Sequence, residues 1–149
     1  MRLELSSEGR YGLRALVYLA WHDEGTLITA DTISREARIP RRLLARILAK
    51  LSHGGIVTSR EGRRGGSRLA RPPEEITLAD AVNAIEGPFE MTRCIMEERA
   101  CGEGRPCALH DAWEEGQEAI LGYLASQTLA DFISDPTNLQ TSDSPTKPQ

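Results

Sequence analysis

Long apolar runs are missing from this chain: charge interrupts every apolar stretch well before the roughly 18 residues that a membrane-crossing helix needs. The start, Met1-Arg2-Leu3-Glu4, has no apolar core leading to a small-residue cleavage site, so a signal peptide is not expected. The expectation is a cytoplasmic protein with no membrane partner. Cysteine is scarce as well, with 3 in 149 residues, all between positions 94 and 107. An odd count in a reducing compartment argues against a disulfide framework and leaves metal binding or thiol redox chemistry. No internal repeat is visible. No nucleophile or Gly-rich phosphate loop accompanies the carboxylates Glu97, Glu98, Glu114 and Glu115, so they are expected to form a solvated face and the chain is not expected to be an enzyme.

Cations are almost absent from the second half. Residues 73–149 hold 4 Lys/Arg against 15 Asp/Glu, while residues 1–72 hold 14 against 7, an asymmetry that the net charge of −4 conceals. The basic half is the electrostatic footprint of a polyanion site; the acidic half would be repelled by phosphate. The length suits one compact domain, or a small head with a helical extension.

Within the basic half, Leu13, Leu16, Val17 and Ala20 recur at helical spacing, predicting a first helix over 10–22. Thr29 is the expected N-cap of a short second helix through Ala37, with Ile33 and Ala37 turned inward. Pro40 opens a third helix whose apolar stripe is Leu44, Ile47, Leu48 and Leu51, ended by Gly54-Gly55, and whose opposite face carries Arg41, Arg42, Arg46 and Lys50. Residues 56–60 and 67–70 are strand-like and flank the turn Glu61-Gly62-Arg63-Arg64-Gly65-Gly66, which predicts a hairpin. Thr77-Leu78-Ala79-Asp80 has the spacing of a capping box, and a helix follows it to Gly87-Pro88.

The expected divisions are a DNA-binding head over 1–88, a cysteine loop over 89–107, one long helix over 108–133 and an unstructured tail over 134–149. Leu109, Trp113, Gly116, Ile120 and Leu124 lie near the 3–4 spacing of a packing seam on that long helix, which needs a partner. The tail is rich in Asp, Pro, Thr and Ser with almost no apolar content.

Helix, short helix, basic helix and a cationic hairpin follow in the order of a winged helix-turn-helix. The fold class expected is mainly α with a small β-hairpin wing, extended by a long C-terminal helix. A helix that packs through Leu44, Ile47, Leu48 and Leu51 presents Arg41, Arg42 and Arg46 outward, and arginine can bond guanine O6 and N7 together. The wing turn with Arg63 and Arg64, followed by Arg68, is suited to phosphates or a minor groove. Double-stranded promoter DNA is the expected partner.

The cysteines stand as Cys94-x6-Cys101-x5-Cys107-x2-His110. Thiolate and imidazole are the ligands of zinc, copper(I) and iron–sulfur centres. Spacing alone leaves zinc and iron–sulfur equally open. A third reading is a set of thiols that sense oxidants by forming disulfides, with His110 incidental.

Gly9-Arg10-Tyr11-Gly12-Leu13-Arg14-Ala15-Leu16, the wing Gly62 to Leu69, Ile76 to Val82, the cysteine loop and Thr128-Leu129-Ala130-Asp131 resemble, in order, the iron–sulfur winged-helix regulators that include IscR, NsrR and RirA. The resemblance spans residues 1 to about 135. It implies a homodimeric bacterial transcription regulator, expected to act as a repressor, whose long C-terminal helix forms the dimer seam. It also implies an iron–sulfur cluster on Cys94, Cys101, Cys107 and His110. The histidine three residues after the third cysteine favours a 2Fe–2S over a 4Fe–4S centre, although the first spacing is one residue longer than in IscR. Ala45 falls where IscR has a glutamate in its recognition helix, and Glu61 where it has a minor-groove arginine, a role that would pass to Arg63 or Arg64. The resemblance therefore carries over the act of binding DNA and not the target sequence.

Overall fold

In the computed structural model, which describes residues 4–22, 25–88, 94, 96, 98–100 and 107–135, the first helix starts earlier than its apolar stripe. Helix α1 spans Ser7–Trp21, and the Ser6 hydroxyl caps it by accepting from the Gly9 amide at 3.0 Å. Helix α2, Ala30–Glu36, is capped by Thr29 as expected. Arg38 then takes a left-handed φ of 52°, so the Ile39 amide reaches back to the Ser34 carbonyl and turns the chain into the next helix. Helix α3, Arg41–His53, ends where the glycine pair places it. Gly55 has φ 70°, and the Gly55 and Ile56 amides bond the Ser52 and Leu51 carbonyls, which satisfies the last turn while Leu51 and Ile56 bury their side chains.

Strands β1 (Val57–Arg60) and β2 (Gly66–Leu69) pair antiparallel, with Val57 opposite Leu69 and Arg60 opposite Gly66. A rung that the sequence does not announce widens this hairpin: Ile28, between α1 and α2, exchanges backbone hydrogen bonds of 2.9 and 2.8 Å with Ser67. Gly66 is what permits that approach, since a Cβ there would lie 2.5 Å from the Ile28 carbonyl oxygen. After a single 3-10 turn at Pro73–Glu75, helix α4 covers Leu78–Glu86 behind the predicted Thr77/Asp80 capping box. It packs closely on α1, because a Cβ on Gly12 would stand 2.2 Å from Ile85 Cδ1.

The single helix expected over 108–133 is two helices, α5 (His110–Ser126) and α6 (Leu129–Ser134). The reason is a second capping box, made by Thr128 and Asp131, in the same Thr-Leu-Ala-Asp sequence as residues 77–80. The break is pinned by backbone bonds from Leu78 to Gln127 and from Leu129 to Ile76. Leu129, 1% exposed, enters the core formed by Leu16, Leu19, Ile33, Leu44, Ile47, Leu51, Ile76 and Ile85. The expected head of residues 1–88 is thus joined by α6. By contrast, α5 buries none of its residues fully. The seam expected along it divides: Ile120 and Leu124 turn toward α4 and α6, while Leu109, Trp113 and Gly116 are exposed. Of the expected cysteine loop only residues 94, 96, 98–100 and 107 are described, and the expected tail lies outside the described residues from 136 on. No helix among the described residues is long and apolar enough to cross a membrane.

Candidate nucleic-acid interface and cysteine segment

The burial of Leu44, Ile47, Leu48 and Leu51 turns the rest of α3 outward. Arg42 is exposed and makes no ion pair among the described residues. The other two arginines are held at their inner nitrogen. Arg41 Nε donates to Asp31 of α2 at 2.7 Å, and Arg46 Nε donates to Glu8 of α1. Glu8 also accepts from Lys50 Nζ at 2.7 Å, and the same ammonium donates to the Ile85 carbonyl at 2.8 Å. Lys50, expected on the outward face, is in this way turned toward α1 and α4. The hydrogen bonds from Arg46 and then Lys50 hold the Glu8 carboxyl at about 2 against its usual 4.5, and Glu8 in turn raises the Arg46 pKa.

Facing α3 across an open cleft of about 970 Å³ is the wing, with Ala45, Ala49, Arg60 and Arg63 among the lining residues. The small side chains at 45 and 49 leave the helix surface low on that side. Arg63 and Arg64 are exposed at the turn, which depends on Gly62 at φ 101° and closes with a 3.0 Å bond from the Gly65 amide to the Gly62 carbonyl. A chain of hydroxyls ties the wing to α3, from Ser52 to Ser59 at 3.2 Å and from Ser59 to the buried Ser67 at 2.8 Å. Arg68, expected among the DNA contacts, is exposed but spends one terminal nitrogen on the Gly25 carbonyl at 3.1 Å.

At the other end of α4 the chain passes into the cysteine segment. The turn that launches it is anchored to the head: Glu86 Oε1 accepts from the Ser6 amide at 2.9 Å and its hydroxyl at 2.7 Å, next to Lys50 on the Ile85 carbonyl. Cys94 and Cys107 are both half-buried, and the Cys94 amide bonds the Arg99 carbonyl. His110 is the first residue of α5, and its amide bonds the Cys107 carbonyl at 3.0 Å, so these two ligand candidates share one turn. Glu114 lies 3.8 Å from His110 Nε2. Cys101 lies outside the described residues. Among the described residues no three His, Cys, Asp or Glu side chains are grouped closely enough to hold a metal ion. The start of α5 thus brings a thiol and an imidazole, Cys107 and His110, onto one turn, and both are ligand types that an iron–sulfur centre takes.

A model of the Rrf2 family, described as an iron-dependent transcriptional regulator, matches residues 5–135. The chain belongs to the Rrf2 family. An HTH-type transcriptional regulator of Aquifex aeolicus is 34% identical over 127 residues, covering 84% of this chain and 88% of that protein. One from Mycobacterium tuberculosis is 35% identical over 129 residues, covering 87% of this chain and 80% of its own length. Among solved structures, IscR of T. potens superposes with a TM-score of 0.71 at 27% identity, covering 94% of this chain and 93% of that one. CymR, the global cysteine regulator of B. subtilis, gives 0.70 at 27% identity, covering 89% and 98%. An oxidised form of Staphylococcus aureus CymR gives 0.67 at 26% identity, covering 89% and 98%. This Rrf2 chain is a DNA-binding, winged-helix transcription regulator and not an enzyme.

Glu8 and Asp31 as partners of Arg46 and Arg41 escape sequence reasoning, since Glu8 meets an arginine 38 positions away. The only local sign is that each is an acidic residue in a helix's first turn.

Proposed function

We propose that this Rrf2 protein is a homodimeric repressor whose DNA binding is controlled by an iron–sulfur cluster held by Cys94, Cys101, Cys107 and His110, of the 2Fe–2S type. Its DNA contacts are Arg41, Arg42 and Arg46 from α3 and Arg63, Arg64 and Arg68 from the wing region. One observation carries the control step. The segment bearing the cysteines leaves α4 from a turn bonded directly to the start of α1 and to Lys50 of α3. A change of state in that segment therefore acts on the element that positions the recognition helix. In a dimer the two recognition helices must lie about one duplex turn apart, so a small reorientation costs specific binding. The cluster, when bound, would supply one-electron redox chemistry and iron that nitric oxide can attack.

Helix α5 supports the dimer, since its Trp113 and Tyr123 and the Leu109 that precedes it are exposed, and the helix buries no residue of its own. A second copy is the partner that would cover it, as in a homodimeric seam.

The experiment is anaerobic purification followed by absorption and Mössbauer spectra, repeated on His110→Ala, with promoter binding measured for holo and apo protein at one salt concentration. Expected are iron and sulfide in equal amounts, a spectrum altered by the substitution, and unequal affinities. Stoichiometric zinc without sulfide, or equal affinities, would sink the proposal. The likeness to CymR, one of whose solved forms is oxidised, favours a second reading in which half-buried Cys94 and Cys107 act as a thiol switch. That reading requires metal-free protein whose DNA binding changes with peroxide and returns with a thiol reductant.

A further inference from the structure

Of the three arginines on α3, Arg46 is the one most thoroughly held. Its side chain is 69% exposed, yet its Nε is engaged by a carboxylate that is only 13% exposed. The bond at Nε fixes the guanidinium at its root. Its two terminal nitrogens, which match guanine O6 and N7, have no partner among the described residues. An unsupported arginine would have to surrender its rotamer freedom on reaching a base.

Glu8 itself is fixed from three directions. Lys50 bridges it to the Ile85 carbonyl, the Ser6 cap orders the first turn of α1 on which it sits, and Glu86 holds Ser6. Two cations share this carboxylate, so the group as a whole stays positive and does not repel a phosphate backbone. The Asp31–Arg41 pair repeats the Nε geometry, but Asp31 is 84% exposed and no other side chain among the described residues holds it.

We propose that Glu8 is a positioning residue for sequence recognition: by gripping Arg46 at Nε, with Lys50 as its brace, it presents the terminal nitrogens of Arg46 to a guanine in the major groove. The inference rests on Arg46 being a base reader, as proposed above. Specificity at one base pair then depends on a residue of α1 that need not touch DNA.

The test uses the full-length protein, as isolated anaerobically, in selections from duplex DNA with a randomised core. Wild type, Arg46→Ala, Glu8→Gln and the double variant are compared, with thermal melts to confirm folding. Expected is one guanine position whose preference Arg46→Ala abolishes and Glu8→Gln weakens about tenfold, other positions keeping their preference. In the Arg46→Ala background, Glu8→Gln should change nothing further, which a merely structural role would not produce. Should Glu8→Gln prove unstable, Glu8→Asp, which keeps the charge on a shorter arm, takes its place with the same position weakened. If Arg46→Ala erases a preference that Glu8→Gln and Glu8→Asp both leave intact, the inference is overturned and the base-reading role of Arg46 stands. If Arg46→Ala erases none while DNA is still bound, that role itself falls, and the inference with it.

Discussion

Thr77 and Thr128 face each other across an antiparallel bridge, and each caps a helix with the same four residues, Thr-Leu-Ala-Asp. The two boxes are joined back to back by the bonds from Leu78 to Gln127 and from Leu129 to Ile76. Losing an N-cap hydroxyl costs about 1 kcal/mol. Thr128→Ala and Thr77→Ala should each lower stability by that amount in urea unfolding. Because the sites touch, the double variant should depart from the sum of the two, and strict additivity would contradict the coupling.

Leu129 reaches the head's core from beyond the cysteine segment, and Leu129→Ala should cost about 2–5 kcal/mol, as buried leucine truncations do. A loss below about 1 kcal/mol in the same unfolding assay would mean that α6 is dispensable to the head.

Gly12→Ala places a methyl against Ile85 Cδ1, and Ile85, 2% exposed, has little room to move. Overpacking of this kind costs about 1–3 kcal/mol. Combining it with Ile85→Val, which deletes that atom, should recover part of the loss in thermal melts. No recovery would place the clash elsewhere.

These elements differ in how far the sequence exposes them. The stripe of α3, its glycine stop, the wing turn and the Thr77 box are all decided within a few residues, and each is found where the pattern puts it. The break at Thr128 was equally readable, because its four residues repeat 77–80, but the apolar period of the preceding helix hides it. The rung at Ile28 and the Glu8–Arg46–Lys50 cluster join segments far apart in the chain, where no local period operates. For the cysteine segment, the spacing offers candidate donors, and the structure adds that Cys107 and His110 share a turn.

The acid range offers a separate check on Glu8. Its carboxyl titrates near 2 when folded against 4.5 ordinarily, so its stabilisation is fully present above about 4.5 and is lost as pH falls toward 2. The stability gap between wild type and Glu8→Gln should be constant near neutrality and close over that window in denaturant titrations at stepped pH. A gap that persists unchanged at pH 2 would contradict the ion pair.

On DNA, the exposed Arg64 at the wing turn and Arg42 on α3 should part company. Arg64→Ala should weaken binding across sequences and reduce the slope of log affinity against log salt by about 1, as losing one phosphate contact does. Arg42→Ala should instead relax preference at a base pair, read by competition between site variants. Identical behaviour of the two would remove the division between wing and helix.

Because Leu129 is a core residue of the head, a chain emerging from the ribosome cannot finish its DNA-binding unit when residue 88 appears. That core is complete only once the segment around Leu129 has been made, by which time Cys94, Cys101, Cys107 and His110 have all been synthesised. A nascent or truncated fragment that has the arginines but ends before Leu129 would therefore lack part of the core on which its DNA-binding head is built.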